Sequence, residues 1–535
     1  MMKKVIKKLL AALLAVAMVC AMAIPAFAGT EGDITTWHSF SAFQIFTGNV
    51  EGNVSNDFKI SNVAWGSNIA DDAAAFLDQL KLADTIGPLF ANAHSAQDVL
   101  EVISQWKDSD ANSIAFARFV CHYLYPNANA NPTPAVTGGS DALTFNEAGY
   151  YLIVDTTPFN PGDFDHAYNS FLLKVTKANW REPITPKAEK PSVEKKVFDN
   201  FDNQDGTSTG VFGSSADHAI NEKFQFQLTA TLPASTDHAY DYYDTYAVCF
   251  KDTLSEGITY DGPDSVVIKS NNNTHDTTID PSKYTINTDN LETQNYFEVN
   301  IPDVKTCAEG LDLNKGATIT VTYTAHLNDN AYVNTGSGST ENKNSVQLQY
   351  SNNPRPGEYW GTTPKSEVYV YTYQLNNTKY RDDAKEGNEL AGAGFHLYSD
   401  EECKNEVELY QKDGFYFPIK DSTDKDKEPV AMFSDNKGQF NVKGLDAGTY
   451  YLKETNTPAG YSACKVIPVT IKADHSGNHV TLSGDLNNKI VNKKAGGITL
   501  PSTGGIGTTL FYVVGGGLMV AAIVLLVTKK RMENK

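Results

Sequence analysis

Apolar and polar positions divide the chain into three stretches separated by two breaks. Between about 29 and 184, helical and strand spacings alternate. Asp71 to Leu82 places Ala73, Phe76, Leu77 and Leu80 on one face of a predicted helix. Ser95 with Asp98 reads as an N-cap and its acid, followed by Val99, Val102, Ile103 and Trp106 at helical spacing. A third helical run, Ser113 to Tyr125, stops at Pro126. Strands are predicted at Trp37–Phe46, Tyr150–Asp155 and Phe171–Val175. Pro183, Pro186 and Pro191 punctuate a linker. From Pro191 to about Tyr350 the text is Thr/Tyr/Val alternation broken by Asn, Asp and Gly. Ser351 to Gly357 forms a second break, and short strands resume from Ser366 to about Asn492. This rhythm predicts a mainly β chain of tandem immunoglobulin-like sandwiches behind an α+β N-terminal domain.

The two ends carry different patterns. Four lysines within the first eight residues precede an apolar run, Leu9 to Ile24, and the small-x-small site Ala26-Phe27-Ala28. These are the parts of a secretory signal over residues 1–28. A second apolar run, Ile506 to Thr528, is long enough to span a bilayer, and Lys529, Lys530 and Arg531 follow it. Positive residues stay inside, so the body is expected outside the cell.

Composition narrows the function. The chain has 535 residues and a formal net charge of -20, although both ends are basic, so the body is more acidic still. Such a surface disfavours nucleic acid and anionic lipid. Of six cysteines, Cys20 leaves with the signal, and no Cys/His spacing suggests a metal. Cys403 and Cys464 either pair or remain free. Asp199, Asp202 and Asp205 before Gly206 read as turn chemistry, because Phe201 breaks a calcium-loop alternation. His218 and His238 fall in loops without a Ser or Cys partner pattern. No hydrolase motif, phosphate loop or cofactor motif is evident, so no cofactor or enzymatic turnover is expected.

Strand parity picks out a few polar residues, because positions i and i+2 share a face. Lys195 lies between Val193 and Val197. Asp252 interrupts Val248, Phe250 and Leu254. Asn344 begins a face continued by Val346, Leu348 and Tyr350. The last third repeats the set: Lys379 shares parity with Tyr369, Tyr371, Tyr373 and Leu375, Glu454 with Tyr450 and Leu452, and Asn492 with Ile490. A buried Lys, acid and Asn form a reactive set, since desolvation favours the neutral amine and the protonated acid. The acid would hydrogen-bond the Asn carbonyl, the amine would attack, and ammonia would leave. Partly solvated salt bridges at sheet ends are the alternative reading of the same parity.

Several motifs then resemble known families. Leu500-Pro501-Ser502-Thr503-Gly504, the apolar run and the basic tail together resemble the sorting signal of Gram-positive wall proteins. The resemblance implies that a sortase cuts after Thr503, so that the span over 496–535 holds the chain in the membrane only transiently. Leu390-Ala391-Gly392-Ala393-Gly394-Phe395, Gly448 to Thr455 and Pro458-Ala459-Gly460-Tyr461 are similar to the CnaB-type isopeptide domains, here over 364–495. Pro191 to Lys195, Phe250 to Gly257 and Leu348 to Pro354 resemble the CnaA-like domain of shaft pilins, here over 191–354. The resemblance implies cross-links Lys195–Asn344 and Lys379–Asn492, assisted by Asp252 and Glu454. The first domain, 29–184, echoes the acid strand in Ala148 to Val154, but Val154 stands at the acid's place, so no cross-link is expected there. Within the linker 185–190, Pro186-Lys187 resembles the pilin motif, with Thr185 in place of Tyr, which implies Lys187 as the sortase acceptor and Lys190 as its competitor.

The combined expectation is a backbone subunit of a sortase-assembled pilus. Its partners would be other copies of itself, pilin and housekeeping sortases and cell-wall peptidoglycan, with any host or matrix ligand met through tip subunits. A wall-anchored adhesin or ancillary pilin, never polymerised, is the alternative.

Overall fold

The computed structural model describes residues 39–495, apart from 52–58, 108–109, 128, 138–141, 158–170, 176–179, 184–189, 203–207, 237, 271–276, 336–340, 356–359, 421–425 and 478. The signal segment, Lys187, the sorting motif Leu500–Gly504 and the apolar run Ile506–Thr528 lie outside these residues. Among the described residues, no helix is long and apolar enough to cross a membrane.

The first unit is one sheet covered on both faces. Its strand order is Lys59–Trp65, Phe40–Glu51, Gly149–Asp155, Phe171–Val175, all antiparallel. Alternation along Gly149–Asp155 sends Leu152 and Val154 toward the helices Ala73–Leu82, Ala96–Ile103 and Ala111–Leu124. Tyr151 and Ile153 point the other way, under the ribbon formed by Ala142–Phe145 and Trp180–Pro183. Ser95 caps its helix by accepting from the Asp98 N–H, and Asp98 reaches back to the His94 N–H. That helix ends at Ile103, so Trp106 packs against the core from beyond it. The predicted strand at Trp37–Phe46 is shifted toward the C-terminus, to Phe40–Glu51.

The second unit is a sandwich. One sheet runs Thr277–Thr278, Ile258–Ser270, Ala317–Leu327, Lys223–Leu232, Ser192–Asp202, Ser208–Gly213. The facing sheet runs Ser215–Asp217, Ser366–Tyr371, Asn342–Ser351, Val248–Leu254, Tyr296–Ile301, Thr285–Asn287. Strict alternation in Ala317–Leu327 buries every second residue between the layers. Two sequence expectations change here. Ser366–Tyr371 hydrogen-bonds within this sandwich, so the break into the third unit falls at Thr372 and not before residue 364. Asp199 is no turn residue: it lies inside Ser192–Asp202, opposite Val211, and is buried.

The third unit is a smaller sandwich. Leu409–Lys412, Phe415–Pro418, Val442–Leu445, Tyr373–Arg381 and Asn487–Asn492 form one sheet. Glu406–Val407, Gly394–Tyr398, Gly448–Asn456, Ile467–Ser476 and His479–Gly484 form the other, and Tyr373, Leu375, Phe395, Leu397, Leu452 and Ile490 close the core between them. Its first and last strands run parallel, with Lys379 opposite Ile490.

Candidate isopeptide centres

That parallel pairing builds the third unit's centre. Asn492 lies two residues beyond the partner of Lys379, hence on the same face and one step along. The Lys379 Nζ donates to Asn492 Oδ1 at 2.6 Å. Glu454 reaches in from the facing sheet, where it pairs with Phe395. Its Oε1 accepts from Asn492 Nδ2 at 2.6 Å, and its Oε2 lies 3.5 Å from Lys379 Nζ. The Lys379 and Glu454 side chains are fully buried, and Asn492 is too. The lysine nitrogen also sits 5.0 Å above the Phe395 ring. Burial favours the uncharged amine and lowers the Lys379 pKa from its ordinary value. One expectation is corrected: the acid faces the amide nitrogen of Asn492, while the lysine faces its oxygen.

Cys464, whose pairing with Cys403 the sequence leaves open, adjoins this centre. Its N–H donates to Glu454 Oε2 at 2.8 Å, and its Sγ is 3.7 Å from Lys379 Nζ. Its thiol is free and is pushed up to about 11, mainly by burial. Cys403 is also free and does not pair with it.

The second unit repeats the set with different connections. Lys195 comes from one sheet, opposite Leu228, and Asp252 and Asn344 come from adjacent strands of the other. All three are buried. Lys195 Nζ donates to Asp252 Oδ2 and, at 3.0 Å, to the Tyr323 hydroxyl. Tyr323 donates to Asp252 Oδ1 at 3.1 Å and accepts from Asn344 Nδ2 at 2.6 Å. Tyr323 therefore joins the lysine, the acid and the asparagine. Sequence parity could not single it out, because a tyrosine on the apolar face of Ala317–Leu327 passes for an ordinary core ring. Asn344 Oδ1 is buried without a hydrogen-bond partner. Burial pushes Lys195 down to about 8 and Asp252 up, so both shifts favour the uncharged pair.

In the first unit, Val154 is buried against the helices at the acid's place. The next residue, Asp155, is a buried acid, and it accepts from the Thr157 N–H at 3.0 Å.

Residues 375–485 match the prealbumin-like fold domain SpaA, and residues 492–534 match the LPXTG cell wall anchor motif. No catalytic family is among these matches. The chain is 25% identical over 364 residues to the trypsin-resistant surface T6 protein of Streptococcus pyogenes serotype M6. That alignment takes in 62% of this chain and 58% of the relative, so the chain spans under two thirds of the length of the curated protein it matches. Among solved structures, the T6 backbone pilin of the same species is 15% identical, covering 86% of this chain and 97% of the other at a TM-score of 0.44. The full-length major pilin SpaD of Corynebacterium diphtheriae is 16% identical, covering 88% and 96% at a TM-score of 0.42.

The chain is thus an LPXTG-type, wall-anchored cell-surface protein with tandem β-sandwiches. The resemblance to sortase-assembled Gram-positive backbone pilins, drawn from the sorting motif and the sandwich signatures, is borne out.

Proposed function

We propose that this chain is the major, shaft-forming subunit of a covalent pilus, and that each of its two sandwiches is locked by a Lys–Asn amide. The observation that carries the reading is the Lys379, Asn492 and Glu454 triad, in which nucleophile, electrophile and proton carrier meet in a buried pocket. The neutral Lys379 amine attacks Cγ of Asn492. One of its protons passes to Glu454 Oε2 and the Oε1 side returns one to Nδ2. The Cγ–Nδ2 bond breaks, ammonia leaves, and an amide remains. Holding the groups together supplies a barrier reduction of about 7–11 kcal/mol, so no separate enzyme is required. The product also removes a buried amine and a buried amide whose desolvation works against the unlinked fold.

Lys195, Asp252 and Asn344 follow the same course. Tyr323 relays between Asp252 and the Asn344 amide, and a half-turn of that amide sets the unpartnered Oδ1 against the Tyr323 hydroxyl. Between subunits, a sortase would join the Thr503 carbonyl to Lys187 of the next copy. The test is the polymer: a detergent-resistant ladder should form in cells expressing the chain and be lost in Lys187→Ala. A single wall-linked band in the unaltered chain, or an unchanged ladder in the variant with Thr503 joined to Lys190, would overturn the Lys187 assignment.

A further inference from the structure

The joint between the second and third units holds a cluster that cross-linking does not use. The strand Ser215–Asp217 ends there, and the following loop runs through His218 and Glu222. Ile220 N–H donates to the Gly444 carbonyl at 2.9 Å, which seats the loop on the end of Val442–Leu445. Gly444 has φ +79, and a Cβ there would lie 2.6 Å from the Ile220 side chain, so the contact requires glycine. Asp446 follows just beyond. His218, Glu222 and Asp446 bring one ligand atom each to within 4.8 Å of one another.

An orphaned nitrogen gives this cluster its meaning. His218 is 1% exposed and stacks on Phe224 with ring centroids 4.1 Å apart. Its Nε2 is 2.7 Å from the Phe198 carbonyl oxygen. A carbonyl only accepts, so Nε2 carries a hydrogen, which leaves Nδ1 as the ring atom open to a ligand. That Nδ1 is buried and makes no hydrogen bond. It points toward Glu222, whose Oε1 is 3.7 Å away. A histidine with one ring nitrogen fixed by a backbone carbonyl and the other left open is oriented as metal-ligating histidines are.

A neighbouring trio, Asp199, Asp217 and His475, lacks this feature. Both nitrogens of His475 are engaged, Nε2 with Asp217 and Nδ1 with the Ser215 hydroxyl at 2.8 Å. These bonds tie Ser215–Asp217 to the strand Ile467–Ser476 of the third unit.

We propose that His218 Nδ1, Glu222 and Asp446 form a binding site for a divalent first-row transition-metal ion of the zinc class, which clamps the second sandwich to the third. One imidazole and two carboxylates suit such an ion, while calcium and magnesium favour all-oxygen shells. The ion also offsets the carboxylates gathered at the joint, where Lys420 lies at 3.8 Å from Glu222. A water or the adjoining Asp217 carboxylate completes the shell. In a fibre under tension, the clamp resists bending between sandwiches that are each locked internally.

The test uses the secreted body, residues 29–503, stripped of metal and titrated with Zn2+ against a chromophoric chelator. One equivalent should bind at micromolar concentration or tighter, with Ca2+ and Mg2+ at least about 100-fold weaker. His218→Gln and Asp446→Asn should each weaken Zn2+ binding about 100-fold, and His475→Gln should leave it unchanged. Co2+ added to the unaltered protein should give visible d–d absorption, a readout independent of how the variants fold. Absent stoichiometric binding, binding undiminished by His218→Gln in a folded variant, or a featureless Co2+ spectrum would each overturn the site. The last two results would mark His218 as an ordinary buried partner of Glu222.

Discussion

Replacing Glu454 with Gln tests the proton carrier while nearly preserving its shape. The Gln side chain still offers an oxygen to Asn492 Nδ2, now at 2.6 Å from Glu454, but it cannot take a proton from Lys379. The cross-link in the third sandwich should then fail. Its loop spans 113 residues between Lys379 and Asn492. Treated as a chain cross-link, a loop of that length restricts the unfolded state by about 5 kcal/mol, strain aside. Gln also places a donor where the Cys464 N–H needs an acceptor, which costs about 1–3 kcal/mol more. For a unit of roughly 120 residues, each kcal/mol lowers the melting temperature by about 4 °C, so the third transition should fall by about 20 °C or more. Calorimetry of the secreted body should show this drop in one transition only, and intact mass should show one ammonia regained. A variant that still loses that ammonia, or a fall of only a few degrees with the cross-link absent, would refute the reasoning.

Two further outcomes concern the second sandwich. Tyr323→Phe removes the hydroxyl that joins Lys195, Asp252 and Asn344, so cross-linking there should slow or stop while the third sandwich links normally, as time-resolved intact mass would show. Asn344→Ala removes the electrophile and leaves Lys195 as an amine with a folded pKa of about 8, below its ordinary 10.5. Between those values the unfolded chain binds the proton and the folded chain does not, so stability in this variant should rise with pH from about 8 toward 10.5. Denaturant unfolding of the linked wild type should lack that rise, and a flat profile in the variant would count against the buried amine.

How much of this was legible depends on the range of each signal. Lys195, Asp252, Asn344, Lys379, Glu454 and Asn492 stood out because a polar residue among alternating apolar ones is a local anomaly, and a strand turns that anomaly into burial. Tyr323 was not legible, since its ring belongs in a core and only its hydroxyl belongs in the site. The orientation of Asn492 was misjudged for a related reason: parity gives a face but not which amide atom meets which partner. Alternation also misled at the second boundary. Tyr369, Tyr371 and Tyr373 keep one parity across Thr372, yet the strands on either side join different sandwiches. The Thr372 hydroxyl donates to the Leu445 carbonyl at 3.1 Å there, a contact between distant segments that local spacing does not contain. His218 read as a lone loop histidine for the same reason, because Asp446 meets it only through the docking of two units.

The central claim is that the two sandwiches carry amide cross-links between lysine and asparagine, and intact mass tests it most directly. The secreted body should be lighter than its sequence by two ammonia losses, and proteolysis should yield branched peptides joining Lys195 to Asn344 and Lys379 to Asn492. A body whose mass equals that of its sequence would contradict the account and reduce both centres to buried ion pairs.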